Sequence, residues 1–497
     1  MPTPDLIDVR NPATGELLTT VPALDAAAVA ELAARCRAAQ PQWAALGFDG
    51  RAEVLSRLRR WLLEHADRVI ETIVSETGKT YEDAQLLELG YTTSALSFWA
   101  RRAGGYLEDR RFFARAPLLA GRRLVTRYAP RGLVGVIGPW NYPLLNSFGD
   151  AIPALAAGNS VLLKPSEVTP LTSLLVAEAL RECELPDGVF AVATGAGETA
   201  EALIDLVDFV MFTGSIATGR RVAARAAAAL TPCALELGGK DAMVVLAGAP
   251  LERAANVAVF YGMMNAGQSC VAVERVYAEA SIYDELLEKI VAKVAALRVG
   301  EPGAPGSVDV GAITAPRQLE IIEAHVADAL AKGARVAVGG HRRPGPGNYF
   351  EPTVLVDVDH GMRCMMEETF GPTLPVMRVA DADEAVALVN DSPMGLGAAV
   401  FAADLQAGEE LARRLDVGAV CVNDAAVNYF ALQAPMGGHK QSGIGVRHGP
   451  EGIRKYCTAQ TILLSPRLMP AREPQFYPRT RASAMLVRRL LKTLYRR

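Results

Sequence analysis

Two hydrophobic rhythms alternate along this chain. From Val21 to about Gly104, apolar and alanine positions recur at helical spacing, and Asp83 to Trp99 continues the pattern; Asp25, Asp67 and Ser75 stand where helices open or are capped. Trp43 and Trp61 fall within this text and are expected in the core. The pattern then changes to short unbroken apolar runs, Leu133–Gly138, Ser160–Leu163 and Phe209–Phe212, separated by helical stretches Leu171–Cys183 and Ala217–Ala229. Strands alternating with helices in this way predict a parallel, doubly wound sheet, whose ligands gather beyond the strand C-termini. From near Leu235 the alternation repeats: Ala242–Leu246, the helix Leu251–Met264, the strand Arg275–Tyr277 and the helix Ile282–Leu297. The predicted fold class is α/β with two such lobes. Arg122–Arg131 differs, since it alternates, carries β-branched residues and lies between Gly121 and Pro130, so it reads as an exposed strand.

Composition narrows the function. The 497 residues, half of them apolar, suffice for two or three lobes. The net charge of −4 hides an asymmetry: residues 466–497 carry +8 and the rest −12. An acidic body disfavours nucleic acid, which needs a basic face. Seven cysteines without a CxxC pair indicate neither a disulfide framework nor a zinc site, and six dispersed histidines give no metal site. The first residues carry no signal-peptide pattern and no run is long enough to span a bilayer, so a cytoplasmic protein is expected. In Ala484–Arg497, Met485, Leu486, Val487, Leu490, Leu491 and Leu494 are expected along one helical side, with Arg488, Arg489, Lys492 and Arg496 largely elsewhere. Such a helix docks either on protein or on an anionic membrane surface.

One cysteine stands apart from the other six. Asn265-Ala266-Gly267-Gln268-Ser269-Cys270 is a glycine-containing loop delivering a thiol between two apolar segments. A thiolate attacks carbonyl carbon and forms readily near backbone N–H groups or a base. Upstream lie Pro139-Trp140-Asn141-Tyr142-Pro143, Lys164-Pro165-Ser166-Glu167, Phe212-Thr213-Gly214-Ser215 and Glu236-Leu237-Gly238-Gly239-Lys240; downstream lies Glu367-Glu368-Thr369-Phe370-Gly371-Pro372. Motif by motif and in order, from about Asn11 to about Leu464, the chain resembles the NAD(P)-dependent aldehyde dehydrogenase superfamily. Gly238-Gly239-Lys240 is no phosphate loop, because it lacks the leading glycine spacing and the Ser/Thr after lysine.

The resemblance implies a mechanism and a fold. It implies that Cys270 forms a thiohemiacetal and then a thioester, that Asn141 and the Cys270 N–H bind the oxyanion, and that Glu236 activates the water that releases the acid. Glu236 favours hydrolysis over transfer to coenzyme A. The cofactor would be NAD, with NADP also possible. Ile137, Pro139 and Trp140 would line the adenine side, Lys164 and Glu167 would bond the ribose, and Gly214, Ser215 and Gly219 would open a helix toward the pyrophosphate. Glu368 would hold the nicotinamide ribose, with Phe370 beside the ring.

The implied partition is 1–120 with 142–234 for the dinucleotide, 235–435 for catalysis, 121–141 with 456–465 for oligomerisation into a homodimer or homotetramer, and 466–497 as a basic tail with possible peripheral membrane contact. The small-molecule partner is an aldehyde. The segments Asn423–Phe430, Ala434–Gly438 and Arg447–Gly452 look like bacterial succinate-semialdehyde dehydrogenases. That substrate needs a cation at the tunnel mouth, and Arg275 is either this cation or part of a structural ion pair. His439, where tyrosine is frequent, is expected to reshape the tunnel. The rival classes are a catalytically silent binding or scaffold member and a cofactor-free thiol esterase.

Overall fold

The computed structural model describes residues 5–116, 119, 121–473 and 476–495. The three apolar runs of the first half lie side by side because each is buried on both faces, as parallel strands under helices must be. They form a six-stranded sheet in the order Gly443–Ile444, Cys233–Glu236, Phe209–Thr213, Leu133–Ile137, Ser160–Lys164, Phe190–Val192, parallel except at Gly443–Ile444. Ile137 pairs with both Lys164 and Phe212, so the turns after these strands open along one edge. Leu133–Ile137 was grouped with the oligomerisation segment 121–141; it lies inside this sheet instead, because all five residues are buried. One face packs on a cluster containing Trp43, Trp61, Trp99 and Phe148, the other on Val29, Leu203 and Val222.

The second sheet has seven strands: Arg335–Val338, Thr353–Val356, Thr373–Val379, Arg275–Glu279, Ala242–Val245, Gly397–Phe401, Ala419–Val422. Only the first is antiparallel to its neighbour. The boundary expected at 235 falls inside a strand. Cys233–Glu236 ends the first sheet, Ala242 begins the second, and the residues between them bridge the two.

A third, antiparallel sheet pairs Cys457–Leu464 with Arg123–Pro130, and the latter with Arg110–Phe113. It leaves Phe112, Phe113, Ile462, Leu463 and Leu464 exposed. The hairpin Leu6–Arg10 with Leu17–Pro22 was not anticipated. Asp25 caps the helix Ala26–Ala45 by accepting from the Ala28 N–H at 2.8 Å, as expected. Ser75 caps nothing: it sits within Ala66–Thr77 and donates to the Thr72 carbonyl. Among the described residues no helix is long and apolar enough to cross a membrane.

Candidate active site

Cys270 closes a loop whose backbone is held in an uncommon shape. Asn265, Ala266 and Gly267 take φ of 49°, 53° and 73° in succession, a left-handed run that only Gly267 adopts without steric cost. Each non-glycine residue there costs on the order of 1–3 kcal/mol, so surrounding bonds must fix it. The Asn265 N–H donates to Asp83 at 2.9 Å, the Gln268 amide to the Asn265 carbonyl at 2.8 Å, and Thr314 N–H to the Gln268 side-chain oxygen at 2.8 Å. A Cβ at Gly267 would lie 2.0 Å from the Gly371 oxygen, so this loop rests directly on the segment after Phe370.

The Asn141 turn meets this loop from the first sheet. The Asn141 amide donates to the Gln268 carbonyl at 2.9 Å, which leaves its second hydrogen for another acceptor. Beneath the turn lies a fully buried ion pair, Lys79–Glu88, at 2.6 Å. Lys79 also donates to the Asn141 carbonyl at 2.8 Å and sits 4.0 Å from the Tyr142 ring, while Glu88 accepts from the Leu144 and Leu145 N–H groups. Charge buried this deeply persists only when paired and fully hydrogen-bonded. Glu88 reaches inward from the π-helical segment Ala84–Gly90.

Glu236, the last residue of its strand, is buried beside Arg447 at 3.9 Å. Arg447 clamps Asp150 through two bonds of 2.9 and 2.7 Å and also donates to the Tyr429 hydroxyl. Burial lifts the Glu236 carboxyl to about 7 despite the opposing pull of Arg447 and Lys455. Burial also pushes the Cys270 thiol up to about 12, so the resting sulfur keeps its proton and a base must take it.

Two cavities meet at Cys270. One, of about 230 Å³, is bordered by Pro139, Trp140, Asn141, Gly214, Ser215, Glu236, Glu368 and Phe370. The other, of about 40 Å³, is walled by Leu87, Tyr142, Leu145, Tyr261, Met264, Val271, Tyr429 and Phe430, with no charged side chain. Cys270 and Asn146 belong to both. In the larger cleft Glu368 accepts from the Gly239 N–H at 2.9 Å, and burial followed by the charge of Glu274 raises its carboxyl to about 8. Trp140 and Phe370 meet edge to face, 5.4 Å between centroids. Ser215 caps the helix Ile216–Ala228, turning its N-terminus to the cleft.

The aldehyde dehydrogenase family model matches residues 2–462. The chain belongs to that family. It is 42% identical over 452 residues to "Putative succinate-semialdehyde dehydrogenase NADP(+) 2" of Mycobacterium ulcerans, covering 90% of this chain and 86% of that one. It is 39% identical to a 4,4'-diapolycopene aldehyde oxidase of Methylomonas, over 94% of this chain and 87% of that protein. An aldehyde dehydrogenase of Mycobacterium tuberculosis complexed with NAD+ superposes with a TM-score of 0.87 at 36% identity, over 93% of this chain and 95% of that one. This aldehyde dehydrogenase is thus an oxidoreductase that oxidises an aldehyde with NAD(P)+.

Not every expected residue lines the cleft. Ile137 and Lys164 sit side by side at the sheet edge, with the Lys164 ammonium 3.1 Å from Glu167, while Gly219 is buried on its helix. A Cβ at Gly219 would lie 2.5 Å from Leu237, so this glycine sets helix-to-strand spacing. Arg275 is no tunnel cation. It is buried and donates to the Lys240 and Met365 carbonyls and the Tyr277 hydroxyl, so neither of its two expected roles holds. His439 is exposed, 3.6 Å from Asp416, and lines neither cavity. Lys79, Glu88, Asn146, Asp150 and Arg447 were not singled out. Glu88, a charge between Leu87 and Leu89 in helical text, offered a signal, whereas Lys79 lies in the turn Gly78–Thr80 and offered none. Among the described residues no three His, Cys, Asp or Glu side chains are grouped to hold a metal.

Proposed function

We propose that this enzyme oxidises neutral, apolar aldehydes to free acids through Cys270. The observation that carries the reading is the meeting at Cys270 of a polar cleft and a cavity without charge. The sulfur bonds to the aldehyde carbon as the thiol proton passes to Glu236, and the carbonyl electrons move onto oxygen. Asn141 and the Cys270 N–H hold that oxyanion. NAD(P)+, when bound, supplies the hydride acceptor. Glu236 releases the thiol proton to solvent, takes another from the water that attacks the thioester carbon, and returns it to the Cys270 sulfur as the C–S bond breaks, a cycle that a carboxyl near 7 suits at neutral pH.

The residues present fit the dinucleotide. The Ser215-capped helix offers N–H groups for a pyrophosphate, and Glu368 and Phe370 flank the end nearest Cys270. Lys164 and Glu167 suit a ribose, with the Glu167 carboxylate disfavouring a 2′-phosphate, so NAD is the proposed preference. The names of the mycobacterial relatives favour succinate semialdehyde as the second reading. Its carboxylate would need Arg59 or Arg101, which line a surface groove sharing Phe430 with the cavity. The exposed apolar residues of the third sheet support assembly into dimers or tetramers. Free cysteines throughout support a cytoplasmic setting.

The test follows reduced-nicotinamide absorbance with short, aromatic, long-chain and carboxylated aldehydes, each cofactor separately, beside Cys270→Ala. Activity greatest on neutral apolar chains and lost in the variant is expected. Preference for carboxylated substrates would overturn the substrate reading, and no turnover of any pair by folded protein would favour a binding role.

A further inference from the structure

Among the described helices the C-terminal one is built unlike the rest. Arg481–Leu494 opens on reciprocal bonds, Ser483 N–H to the Thr480 hydroxyl at 3.1 Å and Thr480 N–H to the Ser483 hydroxyl at 3.0 Å, so it is a capped helix and not a frayed end. Yet none of its residues is buried. Leu486, Leu490, Leu491 and Leu494 keep 45–49% exposure, so nothing in the body covers them. With Val487 they form one side of the helix. Arg481, Arg488, Arg489 and Lys492 form the other, joined by Met485, which lies three and four residues from Arg488 and Arg489 and so leaves the apolar side where it was expected. Arg496 lies outside the described residues.

Four leucines left in water forgo about 1.5–3 kcal/mol each relative to full burial, so the face calls for a cover. The charge pattern says which. The helix has no acidic residue and the tail carries +8, whereas the body carries −12. A leucine face opposite a face whose only charges are cationic suits a helix lying in the plane of a bilayer, leucines among the acyl chains and arginines at the phosphates. An anionic surface draws the tail in and holds the acidic body off, so the helix alone makes the contact.

We propose that Arg481–Leu494 docks this enzyme on anionic lipid surfaces. The attachment is peripheral and reversible. It goes beyond the active-site reading and does not depend on it.

The experiment uses full-length protein and flotation with phosphatidylcholine vesicles, with and without phosphatidylglycerol. Leu490→Asp/Leu494→Asp removes the apolar face, and Arg488→Glu/Arg489→Glu reverses the charge. Binding to anionic vesicles only, reduced about tenfold or more in each variant and by added salt, with turnover in vesicle-free buffer unchanged, is the expected result. Equal or absent vesicle binding for wild type and variants would overturn the proposal. So would a change of solution mass in the leucine variant without an effect on vesicles, which would assign the face to a second copy of the chain.

Discussion

The two cavities that meet at Cys270 are made in different ways. The cleft is made by turns: Pro139–Asn141, the Thr213–Ser215 helix start, the Glu236–Gly238 bridge and the segment holding Glu368 and Phe370 each bring a short continuous run of residues to it. The apolar cavity is made by side chains. Leu87, Leu145, Tyr261, Met264 and Tyr429 come from five separate elements or turns, and of these Tyr429 also accepts from Arg447 behind the wall. Chemistry fixed by turns resists change, since each turn is also a hydrogen-bond junction. A wall of independent side chains can be altered one residue at a time.

The comparison breaks most severely below the cleft. Lys79→Met strands Glu88 as a buried, unpaired carboxylate and frees the Asn141 carbonyl, so unfolding in denaturant should show a loss of about 3–5 kcal/mol. Lys79→Met/Glu88→Gln should recover most of it. Asn141→Ala should leave the fold intact and reduce kcat about 10²- to 10³-fold, since in the proposed reaction it removes a donor from the developing oxyanion. The apolar wall should respond in selectivity instead: Met264→Lys should shift the ratio of kcat/KM for carboxylated over neutral aldehydes upward by about tenfold or more, as far as one new charge contact is worth. A uniform loss for both substrates would show that the wall is structural.

Proton traffic gives a smaller readout. In the proposed reaction the ionised form of Glu236 takes the protons, so kcat should rise with pH through about 7. Arg447 lowers that carboxyl and Asp150, which it neutralises, raises it, so Arg447→Gln should move the rise to higher pH on a pH–rate profile. The smallest effect expected is a few-fold gain in NADP over NAD use in Glu167→Ala, measured as kcat/KM, because a half-exposed carboxylate repels phosphate weakly.

What was legible in the sequence follows the same division. The cleft could be read because each turn is continuous in sequence: Pro139–Asn141, Gly214–Ser215, Glu236–Lys240 and Glu368–Phe370 are written as words. The buried strands were equally plain, since four or five apolar residues between turn formers have few other solutions. The apolar cavity was not legible, because Leu87, Tyr261 and Phe430 resemble any core residue until tertiary packing turns them to a common space. Arg275 misled for the converse reason. Its nearness to Cys270 in sequence says nothing of direction, and the strand Arg275–Glu279 points it into the second lobe. The Arg447–Asp150 clamp joins residues 297 positions apart, beyond any local pattern.

Gly267 carries a consequence for how the enzyme ages and diverges. Because its missing side chain lets the Cys270 loop lie against Gly371, the sulfur and the Glu368–Phe370 segment are parts of one solid block, gauged by the width of a hydrogen atom. Mutation elsewhere can retune the substrate without disturbing that gauge. Within it, even alanine would act as a shim, parting the thiol from the Glu368–Phe370 segment while every side chain of the site kept its identity.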